Sequence, residues 1–517
     1  MGCGATSLRQ PQTRLTLFID VDLVGGYQYN PAVGQLADSP QPLMLSDRPR
    51  EECGVVGVYS PGDHAARVAF FGLFTLQHRG QESAGIVASD GKTLKSHTGM
   101  GLVSQTFREE DLSPLQGHMA IGHTRYSTTG SSMLANAQPF MVTGVHGQLA
   151  LGHNGNIINA VELRNELESK WGCIFSSSTD SEVLAYLLVN APGQTWEERI
   201  GYCLRTVKGA FSAVIQTKDF VMAIKDPLGV RPLCLGKLGS GWIIASESCA
   251  FDHLGAEYVR ELEPAETVVI DKNGVHSFIW PGRDGKRALC VFELIYFARP
   301  DSLFDGKLMY SQRRSMGAKL AQEHPADADL VIGIPDSATA AAVGYALEAD
   351  LPYSDGLVKN RYVGRTFIQP DQRLRDLGAQ LKFNPLPEVI ANKRLVVVDD
   401  SIVRGTTTPR VVAMLRRAGA KEIHMRVCAP PIRWPCHFGV DMATRRELIA
   451  ANKSVEDIRQ IIGVDSLGYL SVDGLMDVVG GKRGGFCHAC FTGRYPIPVQ
   501  LEMDKLVMER PANHQTD

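Results

Sequence analysis

Asp399 and Asp400 stand together at the end of an apolar run, RLVVVDD, and a Gly-Thr-Thr-Thr turn follows five residues later. Adjacent carboxylates can reach sugar hydroxyls and a hydrated Mg2+, while threonine hydroxyls and the first amides of a helix suit a phosphate. Read alone, a pair of acids is a strand-end cap; the full string, with Ser401, Arg404, Gly405, Thr406 and Thr407, is far more specific. Upstream, GIPDSATAAA sets Ser337 at a strand-to-helix turn as a candidate contact for pyrophosphate or Mg2+. The segment KNRYVGRTFIQP carries Lys359, Tyr362 and Arg365; its basic, glycine-containing composition suits either closure over a polyphosphate or a solvated surface loop.

A second group lies in the first half of the chain. Arg125 falls among hydroxyls and glycines in GHTRYSTTG, where a planar guanidinium can hold a carboxylate with two hydrogen bonds, and Asp180 in STDSE can pair with an ammonium group. Asn154 and Gly155 in GHNGN offer a side-chain amide and an unhindered backbone N–H, the two donors that an oxyanion needs. Separately these residues read as surface ion pairs and a turn. A third group is made of thiols. Cys487 and Cys490 form a CxxC pair, and Cys249 and Cys436 sit in unusual contexts, ASESCAF and RWPCHFG. A CxxC alone fits zinc or a redox pair. Cys3, Cys173, Cys203, Cys234, Cys290 and Cys428 lie in stretches where cysteine is a small buried apolar residue.

These groups need elements to carry them. From Cys53 to about Pro281 short apolar runs bounded by glycine (GVVGVYS, GIVAS, HMAIGHT, QLALGHNG, AFSAVIQT, FVMAIKD, GWIIASES) predict antiparallel strands, with helices over 159–170, N-capped by Asn159, and 180–189. After a Gly/Arg-rich connection at 281–286 the rhythm becomes strand, loop, helix: DLVIGIP before SATAAAVGYALEA, and RLVVVDD before PRVVAMLRRAG with Gly419 as its stop. That alternation predicts a parallel sheet with crossover helices. The expected division is a leader over 1–52, domains over 53–285 and 286–475, and a tail over 476–517.

Composition narrows the function classes. Across 517 residues, 53 Lys+Arg nearly cancel 56 Asp+Glu, which disfavours an electrostatic binder of nucleic acid or of an acidic membrane. No run of 18 apolar residues is free of charge, so no membrane span or signal peptide is expected, and the protein is expected in the cytoplasm. Eleven cysteines are too sparse for a secreted disulfide scaffold.

In this order, the motifs of residues 53–285 resemble the class II glutamine amidotransferase domain of the N-terminal nucleophile hydrolases. The resemblance implies a four-layer αββα domain with Cys53 as nucleophile and first residue of the mature chain. A free α-amino group, with a pKa of about 7.7 to 8.0, can serve as the thiol's base where a peptide nitrogen cannot. Residues 1–52 would then be an autocatalytically removed propeptide, started at Met1 or Met44. It further implies Arg125 as carboxylate anchor, Asp180 as amino-group partner, Asn154 and Gly155 as oxyanion donors, and Tyr126 with Arg79 near the pocket mouth.

The second half resembles the type I phosphoribosyltransferases, whose ligand is 5-phosphoribosyl 1-pyrophosphate (PRPP). That assigns PRPP to Ser337, Lys359, Tyr362, Arg365, Asp399 to Ser401 and Arg404 to Thr407, and one Mg2+ per subunit to Ser337, Asp399 and Asp400. Joined in this order, the halves resemble the glutamine-dependent PRPP amidotransferases, which commit material to purine synthesis. Their iron–sulfur subtype implies one 4Fe–4S cluster per subunit on Cys249, Cys436, Cys487 and Cys490. The family further implies a homotetramer inhibited by purine nucleotides. Amidotransferases that make amino sugars or asparagine would need a different second half, and a PRPP-sensing regulator would not need Cys53, Arg125, Asn154 and Asp180 together.

Overall fold

The computed structural model describes residues 53–62, 64–126, 131–282, 285–360, 382–442, 444–480, 485–499 and 508. The expected leader, Tyr362 and Arg365 lie outside the described residues.

Alternating patterns in the first half produce two antiparallel sheets. The first has seven strands, with Gly54–Tyr59 and Met119–Arg125 paired near its middle; the second has six, with Gly147–Ile157 paired to Gly209–Gln216. Val55, Met119 and Ile121 from one sheet meet Ala150, Val214 and Val268 from the other in a common core. The outer face of the seven-stranded sheet is covered by the helices Ala65–Thr75 and Cys249–Leu254, and that of the six-stranded sheet by Ala160–Trp171, Asp180–Asn190 and Trp196–Thr206. The result is the expected αββα sandwich, stabilised by apolar burial on three interfaces.

The second half carries a parallel sheet of four strands, Leu330–Gly333, Arg394–Asp399, Glu422–Val427 and Ser466–Tyr469, in that spatial order. Helices Met309–Glu323 and Thr339–Glu348 pack on one face; Thr408–Arg417 and Val455–Ile462 pack on the other. Gly419, at φ +96°, donates to the Arg416 carbonyl at 3.0 Å and ends its helix as expected. Asn159 precedes its helix but does not cap it with its side chain; its amide spans Thr206 and Lys208 instead. The described residues beyond 43 belong to one compact unit, and among them no helix is long and apolar enough to cross a membrane.

Candidate active sites

Cys53 directly precedes the strand Gly54–Tyr59, and the register Gly54↔Thr124 brings the end of the neighbouring strand, Arg125 and Tyr126, alongside it. The thiol donates to the Tyr126 carbonyl at 3.4 Å and lies 3.5 Å from the Tyr126 amide, so Tyr126 acts through its backbone. Burial pushes the Cys53 thiol up to about 11, partly offset by the Tyr126 hydrogen bond and the Arg125 charge; Glu82 and Asp180 push it further up. Thiol, guanidinium and two carboxylates therefore lie close together. Arg125 is buried, bonds to Glu82 and donates to the Ser131 carbonyl at 3.3 Å. Asp180 opens its helix and accepts from the Ile157 amide at 2.8 Å, while Thr179 caps that helix.

Asn154 and Gly155 lie on the strand Gly147–Ile157 of the facing, six-stranded sheet. Asn154 is buried, and its Nδ2 has no hydrogen-bond partner among the described residues. Gly155 has φ +150°, and a Cβ there would fall 2.0 Å from the Ala210 oxygen, so no other residue fits.

Arg79 differs from its expected place near the pocket mouth. It is buried beneath Cys53, donating from Nε to the Cys53 carbonyl at 3.1 Å and pairing with Glu247 at 2.5 Å and Glu293 at 2.8 Å. A buried guanidinium needs such partners, and their charges raise its pKa above the usual arginine value against the cost of burial. Sequence reasoning missed Glu82, Glu247 and Glu293 because acids up to 214 positions away carry no local signature.

At the parallel sheet, Asp399 and Asp400 lie at the carboxyl end of Arg394–Asp399, where open sheets bind ligands. Asp400 accepts from the hydroxyls of Ser337 and Ser401, the latter at 2.7 Å, so the sheet brings Ser337 to the acids as expected. Gly405, Thr406 and Thr407 form the turn into the helix Thr408–Arg417; Arg404 pairs with Glu447 at 3.1 Å and Lys359 with Asp336 at 2.7 Å.

The expected thiol group is corrected at one position. Cys249 begins a helix on the outer face of the seven-stranded sheet, packs with that sheet's core, and donates to Glu247 at 3.7 Å. Cys290 stands in its place. The short strand Ala288–Cys290 pairs in parallel with Gly485–Cys487, register Cys290↔Cys487, and Cys290, Cys436, Cys487 and Cys490 share one core region. Burial raises the pKa of Cys290, Cys487 and Cys490, and Cys436 raises each further; Cys290 also raises Cys487 and Cys490. Among the described residues no group of three or more His, Cys, Asp or Glu is set to hold a single metal ion. A cubane gives each thiolate its own iron, so its four sulfurs stand farther apart than the ligands of one ion. Cys290, in ALCVFE, has only the long-range pairing to reveal it.

The fold and its two sites define a glutamine amidotransferase domain fused to a phosphoribosyltransferase domain, and family models of these descriptions match residues 123–253 and 301–434. Over 475 residues the chain is 50 % identical to amidophosphoribosyltransferase of Synechococcus elongatus, covering 90 % of this chain and 96 % of the relative. Over 459 residues it is 49 % identical to that of Archaeoglobus fulgidus, covering 87 % and 99 %. The solved glutamine PRPP amidotransferase of B. subtilis, complexed with ADP and GMP, superposes with a TM-score of 0.82 at 46 % identity, covering 87 % of this chain and 99 % of that one. The chain belongs to the amidophosphoribosyltransferase family.

Proposed function

We propose that this enzyme of purine biosynthesis hydrolyses glutamine at Cys53 and passes the ammonia to PRPP, giving 5-phosphoribosylamine, glutamate and pyrophosphate. Convergence of Arg125 and Asp180 on the buried Cys53 thiol carries this reading, with the unpartnered Asn154 amide on the facing sheet as the donor it needs. Arg125 holds the substrate carboxylate and Asp180 its ammonium. The Cys53 sulfur attacks the side-chain amide carbon while the Asn154 and Gly155 N–H groups receive the developing oxyanion. Ammonia leaves, and water releases glutamate from the thioester. The base is the α-amino group of Cys53 after removal of residues 1–52, with the thiol itself cutting the Glu52–Cys53 bond.

At the second site Asp399 and Asp400 hold the ribose hydroxyls, and the 405–407 turn with the following helix holds the 5-phosphate. Lys359, Tyr362 and Arg365 serve the pyrophosphate. The oxygen-only donor set of two carboxylates and Ser337 suits one Mg2+ that takes its other ligands from the substrate. Bound Mg2+ would neutralise charge on the departing pyrophosphate. The four thiols fit a 4Fe–4S cluster held by Cys290, Cys436, Cys487 and Cys490; the Phe438 amide donates to Cys436 Sγ at 3.3 Å, a contact that favours a thiolate. Neither reaction step needs an electron carrier, so the cluster's part is structural. The same reading makes the protein a cytoplasmic homotetramer inhibited by purine nucleotides, a control supported by the ADP and GMP of the B. subtilis relative.

The direct test is stoichiometry. Glutamine, PRPP and Mg2+ together should yield glutamate and pyrophosphate one for one, and chelation of Mg2+ should stop pyrophosphate release. Glutamate release that PRPP leaves unaccompanied by pyrophosphate would overturn the reading.

A further inference from the structure

The segment from Cys436 to Gly439 crosses from the thiol group to the back of the glutamine site. Asn156, one residue beyond Gly155, donates from Nδ2 to the His437 carbonyl at 2.9 Å. Arg231, wholly buried, donates from Nε to the Phe438 carbonyl at 2.8 Å. Gly439, at φ +105°, lies so close that a Cβ on it would fall 2.9 to 3.0 Å from the carbonyl carbon, Cα and oxygen of Gly155. His437 and Gly439 thus contact the strand that carries Asn154 and Gly155, and Phe438 between them is held by Arg231.

The same segment reaches the nucleophile by a buried charge chain. Arg231 Nη1 lies 3.6 Å from Glu293 Oε1, Glu293 grips Arg79 with contacts of 2.8 and 3.0 Å, and Arg79 Nε holds the Cys53 carbonyl at 3.1 Å. The Arg231 carbonyl accepts from Ser212 Oγ at 2.9 Å, and Ser212 is the register partner of Asn154. Nucleophile and oxyanion donors, which sit on different sheets, are referenced to one stretch of backbone outside both.

We infer that Gly439, Asn156 and Arg231 are positioning residues that set the spacing between the Cys53 thiol and the oxyanion donors, so that the 436–439 segment governs the rate of glutamine cleavage without touching glutamine. A displacement of about 1 Å in such a geometry can cost about a hundredfold in rate. The inference rests on Cys53 as nucleophile and on Asn154 and Gly155 as oxyanion donors.

Gly439→Ala adds a methyl group against Gly155, and Asn156→Ala frees the His437 carbonyl. In the full-length enzyme each should lower kcat for glutamine hydrolysis by at least about tenfold, with KM for glutamine within about twofold and ammonia-dependent pyrophosphate release unchanged. A purely structural role would lower both activities together, and that result, or a wild-type kcat in folded Asn156→Ala, overturns the inference even if Gly439→Ala fails to fold. Cys53→Ser run alongside separates the two levels. If it keeps glutaminase, the nucleophile assignment fails and the inference with it; if it loses glutaminase while both other variants stay at wild-type rate, only the inference fails.

Discussion

Burial pushes the Cys53 thiol up to about 11, which makes a neighbouring base necessary for it to react near neutral pH. If the α-amine is its base, kcat/KM for glutamine should rise with pH to a plateau near the amine's pKa of about 7.7 to 8.0. A pH–rate profile that climbs steadily toward 11 would instead report the bare thiol. Intact-mass analysis of active enzyme should show a chain that begins at Cys53. Asp400, which accepts from Ser337 and Ser401, is proposed to serve the other reaction. Asp400→Ala should raise the PRPP requirement or abolish transfer while basal glutaminase persists, as glutamate and pyrophosphate assays on the same preparation would show. Asn154, Asp180 and the two acids stand out in the sequence only as parts of longer ordered strings, and Cys53 only through the family resemblance, because each residue alone has an ordinary structural reading. Arg79 was legible as a functional arginine but not in its orientation, since the Glu247 and Glu293 that draw it inward are distant in sequence.

At the scale of elements, the seven glycine-bounded runs become strands, because alternation and β-branched residues are a local property. Leu94–Met100, Glu257–Glu261 and Gly274–Ile279 were not anticipated; they lie largely exposed at or beside sheet edges and carry weaker apolar alternation. Helix Ala65–Thr75 was missed because AARVAFFGLFT is apolar almost all round. The two sheets are joined by a polar contact that no pattern predicts: the His123 ring lies 3.0 Å from the His153 carbonyl, at the sandwich interior. Burial holds His123 down near 3 and lowers His153 as well. A depressed histidine takes up a proton on unfolding, so its contribution is intact above its unfolded pKa of about 6.5 and falls on acidification toward its folded value, by about 1.4 kcal/mol per pH unit. The midpoint of thermal unfolding should therefore drop between pH 7 and 5, and His123→Gln should flatten that dependence; an equally steep variant would point to other groups.

Over the whole molecule, the charge chain from Cys53 to Phe438 and the strand pair Ala288–Cys290 with Gly485–Cys487 tie the ends of the sequence together. This is where sequence reading reached least far: the CxxC and Cys436 stood out, but Cys290 is identified only by a pairing across nearly two hundred positions. Anaerobically purified protein should contain about four iron per chain. Cys290→Ser and Cys490→Ser should lose that iron and much of their thermal stability, whereas Cys249→Ser should keep it; iron lost from Cys249→Ser and retained by Cys290→Ser would restore the sequence-based ligand set. The central claim, two reactions at two separate sites of one chain, is tested most directly by pyrophosphate release from Cys53→Ser supplied with PRPP, Mg2+ and either glutamine or ammonium. The account predicts release with ammonium and none with glutamine. Release with glutamine at the wild-type rate, or none with ammonium in a folded protein that still binds PRPP, would contradict it.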